Sequence, residues 1–421
     1  MAHLKKLLPH KLTFLLLTSL FLTVSSSCRN NINNVKEIFR DLPIETIDVD
    51  FSIKKPIALS TVFDTVEFIP LETTKNSFFA EITSMETTKD YFIIYDQSSN
   101  SILFFFKNGK FSSKISNYGL TTTKSYKKIK SFTIDRTSSQ IIINDSNQNK
   151  MIFYDFKGNK IKEIMNPFYY RTFYSSGNSN IIYYRSNYYT DNEALTDPKS
   201  KFSNLFFTKN LTDIKKALFP YDPKKINDLD LYSVRKNFYT SDYQNCILAF
   251  PYTYDAYNLD SGNVKSIYRF MLPEENKLPE DFMTNDEYMN KRISYVSNKA
   301  NDKKIYSLTN LFTVNDKCVT FCTYSFGMTP RSFFYNKRTK EVVNFENIFM
   351  DKTAYFLPVT SNEILGSDNS CLYTDISAES LFTHALQDDV NSAIKHNKTL
   401  NNFITSSTNQ SNPIIIKLHV K

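Results

Sequence analysis

Tryptophan is absent from this chain and glycine is scarce, with seven in 421 residues. Together with only fourteen prolines, that scarcity excludes a collagen-like or low-complexity class. Neither a glycine-rich phosphate loop nor a nucleophile-elbow pattern occurs. Histidine is sparse and badly spread for catalysis. His3 and His10 lie near the start, and His384, His396 and His419 fall within the last 38 residues. Acidic residues are missing from the first 27 positions, which hold Lys5, Lys6 and Lys11. What is plentiful is aromatic: 36 Phe and 27 Tyr, a bias that favours strands. At 41% hydrophobic and 22% charged, the chain is far from a disordered profile and long enough for one large core.

Formal net charge is +8, and about +5 once the three N-terminal lysines are set aside. The densest basic run, Lys124, Lys127, Lys128 and Lys130, reads as a solvated face. No nucleic-acid partner is expected.

Residues 1–27 read as an export signal, with a basic start and an apolar stretch over 12–24 too short to span a bilayer comfortably. Ser25, Ser26 and Ser27 then abut Cys28. This resembles the lipobox of bacterial lipoproteins, with Ser25 where Leu is usual. The resemblance implies lipidation of Cys28 and retention on a membrane, with 28–50 as a polar tether. An ordinary cleaved signal is the alternative. The leaflet stays open.

Of the later cysteines, Cys318 and Cys322 are four apart in a β-rich run. An extended strand separates them by about 13 Å, beyond disulfide reach. They read as buried thiols, and no His or further Cys adjoins them for a metal site.

A repeat organises the rest. Residues 100–115 (NSILFFFKNGKFSSKI) align without a gap on 149–164 (NKMIFYDFKGNKIKEI). Each is a strand, a glycine turn and a second strand; Asn108-Gly109 is a strong hairpin signal. Weaker copies follow at 205–214, 257–264 and 333–343. A short apolar strand precedes each hairpin, at 92–95, 141–143, 181–184, 246–250 and 318–321. Another precedes some of those, as at 132–134 and 311–314. Four strands per unit of roughly 50 residues is the pattern of a propeller blade. A sixth unit is implied by 355–359, 364–365 and 372–373, with 414–418 as the last strand. The early strand at 66–71 pairs there if the ring closes. Helical insertions are expected near 278–292, opening at Pro279, and near 377–396, where Leu381, Leu386, Val390 and Ile394 share a face.

These features resemble the six-bladed β-propeller lipoproteins of Bacteroidetes. The residues that carry the likeness are Pro70-Leu71-Glu72-Thr73-Thr74, Asp96 closing a strand, Asn108-Gly109-Lys110, Leu278-Pro279-Glu280 and Asn412-Pro413-Ile414-Ile415. The expected fold is all-β: six four-stranded antiparallel blades in one domain over 51–421, as a monomer. Relatives carry a Gly-rich loop after the first hairpin; here residues 117–126 hold one Gly, with Tyr118 and Tyr126.

The function expected is binding or scaffolding in the cell envelope, with a glycan, peptide or partner protein as ligand. Tyr188 and Tyr189, among turn-forming residues, are the leading binding candidates, beside Tyr118 and Tyr126. The sequence implies no cofactor, metal site or catalytic residue. The runner-up is a carboxylate-dependent carbohydrate hydrolase or lyase at the central channel. Facing carboxylates with an Arg or Tyr in a deep pocket would favour it. A third reading is an assembly partner of an outer-membrane transporter.

Overall fold

The structure is a computed structural model describing residues 39–52, 55–116, 126–188, 195–232, 234, 236–240 and 246–421. The expected signal segment and Cys28 lie outside them. Six antiparallel sheets succeed one another along the chain, each four-stranded in its own right. They form a six-bladed β-propeller. Blade 1 runs inner to outer through Ser84–Thr87, Tyr91–Asp96, Ser101–Phe106 and Phe111–Ile115. Blade 2 begins at Ile129–Asp135, blade 3 at Thr172–Gly177, blade 4 at Phe238–Thr240 and blade 5 at Ser307–Val314. All five repeated hairpins are the two outer strands of blades 1 to 5.

Blade 6 takes Gly366–Ser367, Cys371–Ile376 and Ile414–Val420 from the C-terminal end, and Phe63–Pro70 from the N-terminal side. The last pairing is antiparallel, from Ile414 opposite Pro70 to Val420 opposite Phe63. The ring is thus closed by both ends of the chain, and no inner seam is left unpaired.

Two local devices explain the repeat. Gly109 and Gly158 hold the hairpin turns at φ of 82° and 85°, where an L side chain is strained. Asp96 and Asp145, 49 residues apart, each end a second strand. Asp96 accepts from Ser99 Oγ at 2.6 Å and Asp145 from Gln148 Nε2 at 2.8 Å. Both also reach back to the connection entering their own blade. Asp96 accepts from Ala80 N at 3.4 Å, and Asp145 from Lys127 N at 2.5 Å. A buried carboxylate satisfied by backbone N–H groups fixes where the inner strand starts.

Four expectations are corrected. Residues 44–48 are not tether: Ile44–Asp48 pairs in parallel with Val264–Met271 as a fifth strand on blade 4. Residues 355–359 are not a strand, because Tyr355 and Phe356 take φ of 55° and 58° and Pro358 follows. The insertion expected near 278–292 is mostly turns and one 3-10 turn, Asp286–Tyr288, with its helix only at Arg292–Ser297. Pro279 starts no helix. The other insertion holds three helices, Ala378–His384, Asp388–Lys395 and Lys398–Ser406. Leu386 falls in the first break and is 84% exposed, while Leu381, Val390 and Ile394 are buried.

Cys246, Cys318, Cys322 and Cys371 are buried. Burial pushes the Cys318 and Cys322 thiols up to about 12, so both behave as apolar core groups.

Candidate functional site

The central cavity draws its lining from every blade and has a volume of about 910 Å³. Its wall is built from the entry ends of the inner strands and the connections leading into them. Lys128 and Lys130 stand there because Asp145 holds Lys127 N at the mouth of blade 2. Lys128 precedes the strand and Lys130 sits at the register break between Ile129 and Ser131, and both line the cavity. Arg171 stands at the mouth of blade 3, next to blade 2.

The floor is an ion-pair crossing. Glu86 of blade 1 lies 2.7 Å from Lys236 Nζ of blade 4 and 3.2 Å from Arg136 Nη2 of blade 2. Blades 1 and 4 are three places apart in a ring of six, so the Lys236 pair crosses the axis. The Glu86 side chain is only 13% exposed. Burial pushes its carboxyl up, but Lys236 and Arg136 outweigh burial and hold it below the usual carboxylate range. It is therefore a fixed anion and a poor proton donor.

Opposite blade 3, Glu363 enters the cavity from blade 6. It accepts from the Tyr324 hydroxyl and from Asn310 Nδ2 at 2.8 Å. Tyr232 and Tyr306 form an aromatic wall, their ring centroids 4.6 Å apart. Phe326, 42% exposed, packs against both.

That wall is pinned from behind. Arg292 and Asp230 form a buried ion pair, 0% and 2% exposed. Asp230 also accepts from Arg292 N at 3.0 Å and Asn290 N at 3.1 Å. Arg292 Nε donates to Phe282 O at 2.8 Å and Nη1 to Lys225 O at 3.1 Å. The pair ties the insertion before blade 5 to the segment that carries Tyr232 and Lys236 into the cavity.

Of the residues singled out from sequence, Tyr118 and Tyr189 lie outside the described residues. Tyr126 is 1% exposed and donates to Asn100 O at 2.6 Å. It packs between blades 1 and 2 rather than offering a binding surface. Tyr188 stacks on Tyr169 at 3.7 Å. Lys130 Nζ stands over the other ring of that stack, 4.8 Å from the Tyr169 centroid. Tyr188 is thus one ring removed from the cavity wall. Lys128 and Lys130 were legible as a basic run, but not as cavity residues.

A second cluster lies on blade 6. Cys371 Sγ is 3.3 Å from His419 Nδ1, and His419 Nε2 contacts Glu67. The order is that of a nucleophile, base and acid. Cys371 is 0% exposed, however, and burial pushes its thiol up, so no substrate reaches a thiolate there. His384 is on the first helix of the blade 6 insertion, and exposed His396 ends the second. Among the described residues no group of three or more His, Cys, Asp or Glu could hold a metal ion. No helix among them is long and apolar enough to cross a membrane.

Residues 44–419 match the family described as "Domain of unknown function (DUF4934)". The chain belongs to this family. A protein of Bacteroides fragilis classed as exported has the same fold, with a TM-score of 0.65 at 17% identity, covering 90% of this chain and 99% of its own. A member of the DUF4221 family from Bacteroides vulgatus aligns with a TM-score of 0.45 at 12% identity, covering 85% and 99%. No curated protein matches the sequence.

Proposed function

We propose that this DUF4934 chain is a cell-envelope binding protein that takes a small polar ligand into the six-blade cavity. The supporting observation is the cavity itself: about 910 Å³, lined from all six blades, with an ionic floor and a Tyr232–Tyr306 wall. Such a cup surrounds a small ligand and offers it both aromatic area and oriented polar groups. The N-terminal signal and Cys28 make lipid anchorage part of the same reading. The exported classification of the Bacteroides fragilis protein agrees with an envelope address.

A melting-temperature screen of residues 29–421 against glycans, short peptides and metabolites tests the cup, since a native-state ligand raises the melting temperature. A hit that Tyr306→Ala abolishes supports it. No shift from any compound sinks it and leaves the partner-protein reading. Radiolabelled palmitate fed to cells tests the anchor: labelling of the wild type and loss with Cys28→Ala are expected, and equal labelling would defeat it.

One observation favours the hydrolase or lyase alternative. Glu86 and Glu363 line the same cavity, with Tyr324 and Arg171. Glu86 is held ionised by its two cations and cannot supply the proton that glycoside cleavage needs. Turnover of a bound glycan that Glu363→Gln abolishes would reinstate the enzyme.

A further inference from the structure

Four cations line the cavity, Lys128, Lys130, Arg171 and Lys236, against two carboxylates, Glu86 and Glu363. Lys236 and Glu86 neutralise one another on the floor. That leaves three cations on the adjoining blades 2 and 3, and Glu363 across the ring on blade 6. Among the described residues none of the three cations is ion-paired. Lys130 is crowded: burial and then the neighbouring Arg171 hold its ammonium below the ordinary lysine range. Asp228 is the carboxylate set against Lys130 and Arg171. Burial pushes it above the usual range, and its Oδ1 is buried without a hydrogen-bond partner. Like charges gathered in a half-enclosed wall are stabilised by an anion placed between them.

We infer that the cup is built for an anionic ligand, a small saccharide bearing a carboxylate or sulfate, seated with its charged end against Lys128, Lys130 and Arg171. This rests on the binding reading of the cavity. The two ends of the cup differ in kind. Glu363 repels an anion and accepts hydroxyl donors, so it suits the uncharged end. Gln97, Asn147, Thr309 and Asn310 line the space between with neutral donors and acceptors. Tyr232 and Tyr306 supply ring faces beside them. One charged group on a hydroxyl-rich frame fits that order of surfaces.

The test is calorimetric titration of residues 29–421 with galacturonosyl-galactose, which carries one carboxylate, the neutral digalactoside and triglutamate, at low and physiological salt. Lys128 is exposed, so Lys128→Glu reverses a charge without disturbing the fold; Arg171→Ala is the second variant, and melting curves check both. The expected result is that the singly charged galacturonosyl-galactose binds at least about tenfold more tightly than the neutral sugar, loses about tenfold or more in either variant, and weakens with salt. Equal binding of the neutral sugar, or a Lys128→Glu variant of unchanged affinity, overturns the anion assignment and leaves the cup standing. Tighter binding of triglutamate overturns the saccharide class. Binding of none of the three overturns the inference, and the cup falls with it only if the wider screen is also blank.

Discussion

Gly109 shows what one missing side chain fixes. A Cβ there would sit 2.0 Å from Pro70 O, on the strand that closes blade 6, and Glu72 N donates to Gly109 O at 2.9 Å. The repeat partner Gly158 would place its Cβ 3.0 Å from Lys114 O on blade 1. Both alanine variants carry a left-handed strain of about 1–2 kcal/mol, but the backbone at position 109 must move much further than the few tenths of an ångström needed at 158. Gly109→Ala is therefore expected to lose about 3 kcal/mol or more, and Gly158→Ala distinctly less. Urea melts measure the difference, and equal losses would contradict it. Asp375 carries the opposite kind of strain. Burial pushes its carboxyl up to about 6, with Asn362 Nδ2 donating at 3.2 Å in partial compensation. The folded state then holds this proton more tightly than the unfolded chain. Its contribution is most favourable below about pH 4 and is lost as pH rises through 6. Asp375→Asn is expected to raise stability at pH 7 and to flatten the wild-type decline between those values. A variant no more stable than wild type at pH 7 would refute the assignment.

Among elements, the insertion before blade 5 depends on the Asp230–Arg292 pair. Arg292→Met leaves Asp230 buried beside two backbone N–H groups but without its cation, an expected loss of about 3–5 kcal/mol. Asp230→Leu with Arg292→Met is expected to recover much of it. Hydrogen exchange should show the loss concentrated in residues 226–240 and 272–306. A uniform loss across the blades would mean the pair does not act locally. The sequence made some of this legible and hid the rest. The five outer hairpins were readable because a glycine or turn residue between alternating apolar runs is a local signal. The short inner strand of blade 6 is Gly366–Ser367, two residues beyond the apolar pair 364–365 expected to be a strand, and the apolar 355–359 imitated another. The basic run at 124–130 read as solvated because nothing local to it tells that blade 3 sets Arg171 alongside. Likewise Glu86 and Lys236 are 150 positions apart, and only the closed ring brings them together.

At the scale of the whole molecule, the N-terminal segment wraps the rim before it closes the ring. Phe39 stacks on Phe219 of blade 3, Ile44–Asp48 extends blade 4, and Phe51 meets Phe333 of blade 5 edge-on. Ile57–Ala58 then pairs with Ile348–Phe349, and Ser60 N donates to Asp351 at 3.0 Å. Removing residues 1–58 keeps the Phe63–Pro70 strand and the cavity. It is expected to lower the melting temperature while leaving ligand affinity in the cup unchanged; an affinity change would show that the rim and cup are coupled. The wrap also decides how the molecule bears load. Tension at residue 39, drawn along the strand axis, meets five paired positions on blade 4 in shear. Without that pairing the load would fall on the closing blade, beginning at Phe63 opposite Val420. A chain held by its N-terminal end thus carries a strain relief upstream of the joint that closes its ring. Single-molecule pulling should record a separate early rupture that disappears when the first 58 residues are removed.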